Sequence, residues 1–122
     1  MSRAARALLL VDAAFELAVA AVCLLAPRLL LGSVGGDALA LTRVLAGNAA
    51  GLAALSLLAG VGGEAAAVRL ALRGFVVFHA AVVAAQAVNL GHGGPVQPVI
   101  AHGLLWVAFV VAGVRDTQRR KS

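Results

Sequence analysis

Asp12 and Glu16 lie four residues apart, and so do Arg69 and Arg73. On a helix that spacing puts both members of each pair on one face. All four stand inside or at the edge of apolar runs. A charge at the centre of a membrane span costs about 2.5–3.5 kcal/mol on insertion scales. Such groups are therefore paired, hydrated or used. Counting from helix starts near Ala7 and Glu64 puts the two pairs at similar depth on the 1.5 Å rise of a helix. The expectation is an intramembrane charge cluster of Asp12 and Glu16 against Arg69 and Arg73. Such a cluster fixes helix register or forms a ligand or proton site. The arginines can also snorkel to headgroups without a partner.

A second set of polar residues falls nearer the other end of the spans. It comprises Arg43, Asn48, His79, Gln86 and His102. Asn48 is about one turn deeper than Arg43, and Gln86 follows His79 by two turns on the same face. Imidazoles exchange protons near neutrality, and arginine and amides orient polar headgroups. These five are the candidate ligand-binding residues of a pocket open to the outer leaflet. The competing reading is that the histidines are hydrogen-bonded packing residues. His79 and His102 could in principle hold a haem between two helices, but no local motif selects that geometry. His92, in a glycine-rich stretch, reads as solvated.

No catalytic constellation and no dedicated metal motif is visible. There is no Walker A loop, HExxH, GxSxG or EF-hand loop. Cys23 is the single cysteine. It precludes an intrachain disulfide and reads as a small hydrophobe in an apolar run. The chain is not expected to be an enzyme or to carry a metal.

The elements that must position these residues follow from composition. Of 122 residues, 62% are hydrophobic and 12% charged, and the net charge is +5. Mean hydropathy is +1.01. A soluble domain carries about 25% charged residues. The surplus apolar surface calls for lipid, and a span needs about 20 apolar residues. Four stretches meet that length, at about 7–26, 38–59, 64–90 and 96–114, with a polar tail over 115–122. The expected architecture is all-α, a single membrane domain over 1–122 built as an antiparallel up-down four-helix bundle. Pro27 ends the first span because proline lacks the donor that a helix interior needs. Gly32 to Asp37 reads as a loop with Asp37 as an N-cap. Gly60, Gly62 and Gly63 end the second helix, and Gly91 to Pro95 is a turn. Asp12 and Glu16 interrupt the run after Arg3 and Arg6, which favours a retained helix over a cleaved signal peptide. Gly47 and Gly51 form a GxxxG pair, read as close packing within the bundle.

The basic residues cluster at span ends, which marks topology rather than nucleic-acid binding. Arg3, Arg6, Arg69, Arg73, Arg115, Arg119, Arg120 and Lys121 fall on one side. Arg28 and Arg43 fall on the other. Both termini are therefore expected in the cytoplasm.

Several residues also carry a family likeness. They are Glu16 in the first span, Pro27 before Leu29-Leu30-Leu31-Gly32, and Arg43-Val44-Leu45-Ala46-Gly47 opening the second. His79 within the third and the turn Gly93-Gly94-Pro95 complete the pattern. In these features the chain resembles the DoxX-like small four-helix membrane proteins, including their bacterial branches. The resemblance spans nearly the whole chain. It implies a four-helix fold in a bacterial cytoplasmic membrane and a link to quinone-dependent oxidation or redox homeostasis. The chain lacks the cysteine pair of a thiol-redox member.

Taken together, the sequence predicts a small integral membrane protein that binds a lipid or quinone in an intramembrane pocket. The alternatives are an accessory subunit of a larger membrane complex and a small proton-linked carrier using Glu16 and His79. No cofactor other than a possible quinone is expected. The expected partners are membrane lipids and either a partner subunit or further copies of the chain.

Overall fold

The computed structural model describes residues 3–31, 36–91 and 93–118. Within them the chain forms α1 (Arg3–Leu25), α2 (Pro27–Leu31), α3 (Gly36–Gly62), α4 (Ala65–Gly91) and α5 (Gln97–Gln118). Every helix but α2 is long and apolar enough to cross a membrane. Their outward faces carry Leu17, Leu58, Leu70, Val77 and Leu104, all well exposed. Such faces are stable only against hydrocarbon.

Helix starts and stops differ from the sequence expectation in instructive ways. Pro27 ends α1 but does not open a loop. It occupies the first position of α2, where its missing N–H costs nothing. Ala26 N–H still donates to Val22 O at 2.9 Å, and Leu29 N–H donates to Ala26 O at 3.0 Å. Helix α3 starts at Gly36, so the backbone of Asp37 already lies within its first turn. The rest of the expected loop, 32–35, lies outside the described residues, as do His92 and the tail beyond Gln118. Gly60 does not stop α3. A Cβ there would sit 3.0 Å from Leu10 Cδ2 and 3.3 Å from the Arg6 carbonyl oxygen. Gly60 is thus a point of close approach between α1 and α3, and the helix runs on to Gly62. The end of α4 is as expected. Gly93 has φ +82°, its N–H donates to Leu90 O at 3.0 Å, and Gly94 N–H donates to Asn89 O at 2.8 Å. That is a Schellman cap, with glycine in the left-handed conformation it tolerates best.

Side-chain pairings set the topology. Arg6 at the start of α1 donates to Gly60 O and Gly63 O at the end of α3, at 3.3 and 2.8 Å. It satisfies carbonyls that a helix C-terminus leaves free. The two helices are therefore antiparallel. Phe75 and His79 of α4 meet Phe109 and His102 of α5 in descending order, so that pair is antiparallel too. The four long helices form the up-down bundle, with the most extensive contacts in the α1–α3 and α4–α5 pairs. The α1–α3 seam uses small side chains, among them Ala13, Ala20, Ala46, Ala49 and Ala53, all buried. Small residues let membrane helices approach closely. Gly47 and Gly51 take no part. Both face outward with open space around a would-be Cβ. The expectation that GxxxG packs inside the bundle is therefore corrected.

Candidate functional site: a histidine and carboxylate core

Every long helix contributes to a polar cluster inside the bundle, α1 with two carboxylates. The buried stripe of α1 is Ala5, Leu9, Asp12, Ala13, Glu16, Ala20 and Cys23. That of α4 is Val68, Leu72, Phe75 and His79. Helix α3 adds Ser56, and α5 adds His102. Asp12, Ser56 and His79 are fully buried, and Glu16 is 2% exposed.

Asp12 holds the centre. Its Oδ2 accepts from the Ser56 hydroxyl. Its Oδ1 lies 2.9 Å from His79 Nε2. An ionised carboxylate can only accept, so against Asp12 in that form Nε2–H is the donor. The other ring nitrogen, His79 Nδ1, faces His102 Nδ1 at 2.9 Å. One proton between those two nitrogens completes a series from Ser56 through Asp12 and His79 to His102.

Glu16 sits beside this series without joining it. Its Oε1 is buried and has no hydrogen-bond partner. One atom each from Glu16, His79 and His102 can be chosen so that none is more than 4.8 Å from another.

Aromatic rings wall the histidines. The chain has four phenylalanines, and all of them touch the pair. Phe109 stacks on His79 with centroids 5.4 Å apart and planes at 18°. Phe78 meets His79 at 5.0 Å and His102 at 6.1 Å. Phe75 lies 6.1 Å from His79, and Phe15 meets His102 edge-on at 5.3 Å. This wall keeps the local dielectric low, which strengthens the polar contacts inside it.

Two clefts open at the bundle surface. One, of about 570 Å³, lies between α3 and α4. Leu55, Leu58, Ala67 and Gly74 line it, and Phe75 and Phe78 bring it to the rings that face the histidines. The other, of about 400 Å³, lies between α4 and α5 and is lined by Arg69, Arg73, Phe109, Gly113 and Asp116.

The sequence-predicted sets are thus regrouped. Asp12 and Glu16 do lie on one inward face. Among the described residues their expected ion pairs with Arg69 and Arg73 do not form; Asp12 pairs with His79 instead. The cause is rotation about the helix. Arg69 and Arg73 each follow a buried residue, Val68 and Leu72, by one position. That turns them about 100° away from the bundle centre. His79 and His102 do meet. Arg43 and Asn48 are exposed, each one position off the buried stripe through Thr42, Ala46 and Ala49. Gln86 is half-buried and accepts from Asn89 Nδ2 at 3.1 Å, away from the histidines. Of the five candidate ligand-binding residues, only the two histidines come together. Ser56 and the phenylalanines were not singled out from sequence. A signal existed for Phe75 and Phe78, which lie one turn and one residue before His79.

Comparison with known proteins adds no relative: no family model, no curated protein and no solved structure matches the chain. Fold and site together define a small four-helix membrane protein with a buried histidine–carboxylate core.

Proposed function

We propose that the chain binds an amphiphile of the bilayer, a lipid or a quinone, between its helices. The apolar part lies in the α3–α4 cleft, and the polar head meets His102 and His79. The observation that carries this reading is the position of Phe78. It lines the cleft and also touches both imidazoles. One ring thus stands between the cleft and the histidines. The DoxX-like resemblance favours a quinone among such amphiphiles. Ligand sites of this kind are mostly apolar with a few convergent polar groups.

The test is native mass spectrometry of the protein released from a mild detergent, with Gly74→Trp as the comparison. Gly74 lines the cleft, and nothing lies within 4 Å of a Cβ built there, so a bulky side chain is introduced at the cleft without a backbone clash. The wild type is expected to carry a bound amphiphile that Gly74→Trp loses. Equal retention by both proteins would rule the cleft out.

A second reading, a proton-linked carrier, is favoured by the hydrogen-bonded series Ser56–Asp12–His79–His102. It predicts proton uptake by vesicles containing the wild type and none with His102→Ala. We also propose that both termini lie in the cytoplasm, since Lys and Arg gather at that end of the spans. Terminal reporter fusions active only in the cytoplasm check that.

A further inference from the structure

The core leaves one conspicuous group unsatisfied. Glu16 Oε1 is buried in the bundle with no donor near it. An ionised carboxylate in that position costs several kcal/mol unless something compensates it. The nearest carboxylate is Asp12, which worsens the imbalance. Arg69 and Arg73 face a different cleft. Two carboxylates and two imidazoles therefore share an apolar chamber, with no fixed cation beside them among the described residues.

From this geometry we infer a site for one divalent first-row transition ion, held by Glu16, His79 and His102. The donor set is two imidazole nitrogens and one carboxylate oxygen. It suits zinc, iron, cobalt, nickel or copper rather than magnesium or calcium, which prefer all-oxygen ligands. Ligand distances of about 2.0–2.2 Å put neighbouring donors of a tetrahedral ion about 3.4 Å apart. The two Nδ1 atoms are 2.9 Å apart, and no pair in the set exceeds 4.8 Å. Small side-chain movements at the two histidines and at Glu16 close the site.

The surroundings fit an ion as well. His79 turns Nε2 to Asp12, which leaves Nδ1 for the metal. A metal-bound imidazole ordinarily gives its other N–H to a carboxylate in this way, fixing the tautomer and ring orientation. Ser56 in turn fixes Asp12. Asp12 is thus a positioning residue and not a ligand. A dication balances the charges of Asp12 and Glu16, so the chamber becomes neutral overall. Three protein ligands also leave a coordination position open, which is the pattern of sites that bind a further small ligand. Entry of the ion replaces the proton between the two Nδ1 atoms by a metal, with the displaced proton moving to His102 Nε2 or to solvent. No electron is exchanged.

The site shares His79 and His102 with the amphiphile reading but draws on none of the α3–α4 cleft lining, so a change confined to the cleft, Gly74→Trp, separates the two. The experiment uses full-length protein, freed of any affinity tag, in detergent and stripped with chelator. Cobalt(II) is titrated in as a spectroscopic probe, and zinc binding is quantified by elemental mass spectrometry. One ion per chain is expected, with the visible bands of a four- or five-coordinate cobalt. Glu16→Gln and His102→Ala should weaken binding by more than about 100-fold, and Asp12→Asn by about 10- to 100-fold. Zinc should raise the thermal midpoint of the wild type and leave that of Glu16→Gln unmoved. Gly74→Trp should bind the ion as the wild type does, whether or not it loses an amphiphile. His92→Ala should also bind normally. Glu16→Gln removes only a lone buried charge, so size-exclusion and circular dichroism should show it folded. The inference is overturned if folded wild type takes up no ion, or if folded Glu16→Gln and His102→Ala bind it as tightly as wild type.

Discussion

Two regions of this bundle begin with the same sequence device, a charged pair at four-residue spacing, and end in opposite environments. Asp12 and Glu16 point to the centre of the bundle and are almost fully buried. Arg69 and Arg73 border an open cleft between α4 and α5, Arg69 half-buried and Arg73 exposed. Side-chain reach accounts for the difference. Arginine has a long apolar stem and can carry its charge toward the headgroups. Aspartate and glutamate cannot, so once on an inward stripe they must be satisfied there. Asp12 is satisfied twice over, by Ser56 and His79, and Glu16 is left over. The paired spacing sets only which residues share a face. The rotation of that face decides whether the charges become structure or surface.

That contrast breaks most sharply at Asp12. Asp12→Ala leaves the His79 N–H and the Ser56 hydroxyl buried without an acceptor. Removing one partner of a buried pair costs about 3–5 kcal/mol. Arg73→Ala, at the exposed pair, should cost no more than about 0.5 kcal/mol. Reversible unfolding in mixed micelles measures both. Comparable losses for the two variants would remove the distinction between a buried core and an open cleft.

The same contrast shows what could be read from the sequence and why the rest could not. Hydropathy alone carries the four spans, because hydrocarbon imposes a minimum length that few other folds demand. Boundaries shifted by a turn or so because glycine has two uses. At Gly93 it permits a left-handed cap, and at Gly60 it permits close packing, and composition does not separate these. The site was half legible. Depth along a helix can be counted from its ends, and counting brought His79 and His102 to one level. Rotation about the axis needs the buried stripe, which an apolar chain hides, since nearly every position could face lipid. Arg43, Asn48, Arg69, Arg73 and Gly47 each lie one position off a buried stripe, and depth along the helix does not reveal it; for Arg69 and Arg73 the outcome is the unpaired alternative and not the charge cluster. The stripe on α4 was still available in part. Leu72, Phe75 and His79 follow a helical repeat that excludes Arg69 and Arg73.

A smaller effect belongs to Ser56. Its hydroxyl donates to an acceptor that His79 also serves, so Ser56→Ala removes one charge-assisted hydrogen bond without opening a large cavity. The expected loss is about 1.5–3 kcal/mol. Paired with Asp12→Ala it should show strong coupling, because either change alone removes the same contact. Full additivity would mean the hydroxyl contributes through packing and not through Asp12.

Glu16 gives the smallest stability change and the finest discrimination. In chelator-stripped protein, Glu16→Gln replaces a buried carboxylate that has no partner by a neutral amide of the same shape. Stability should stay within about 0.5 kcal/mol or rise, in contrast to the loss at Asp12. The double change Glu16→Gln with Arg73→Ala should be additive to within about 0.5 kcal/mol, as expected for side chains that do not meet. A coupling above about 1 kcal/mol would bring back the helix-to-helix ion pair between these residues. It would also require α4 to turn by nearly a third of a revolution from the orientation that buries His79.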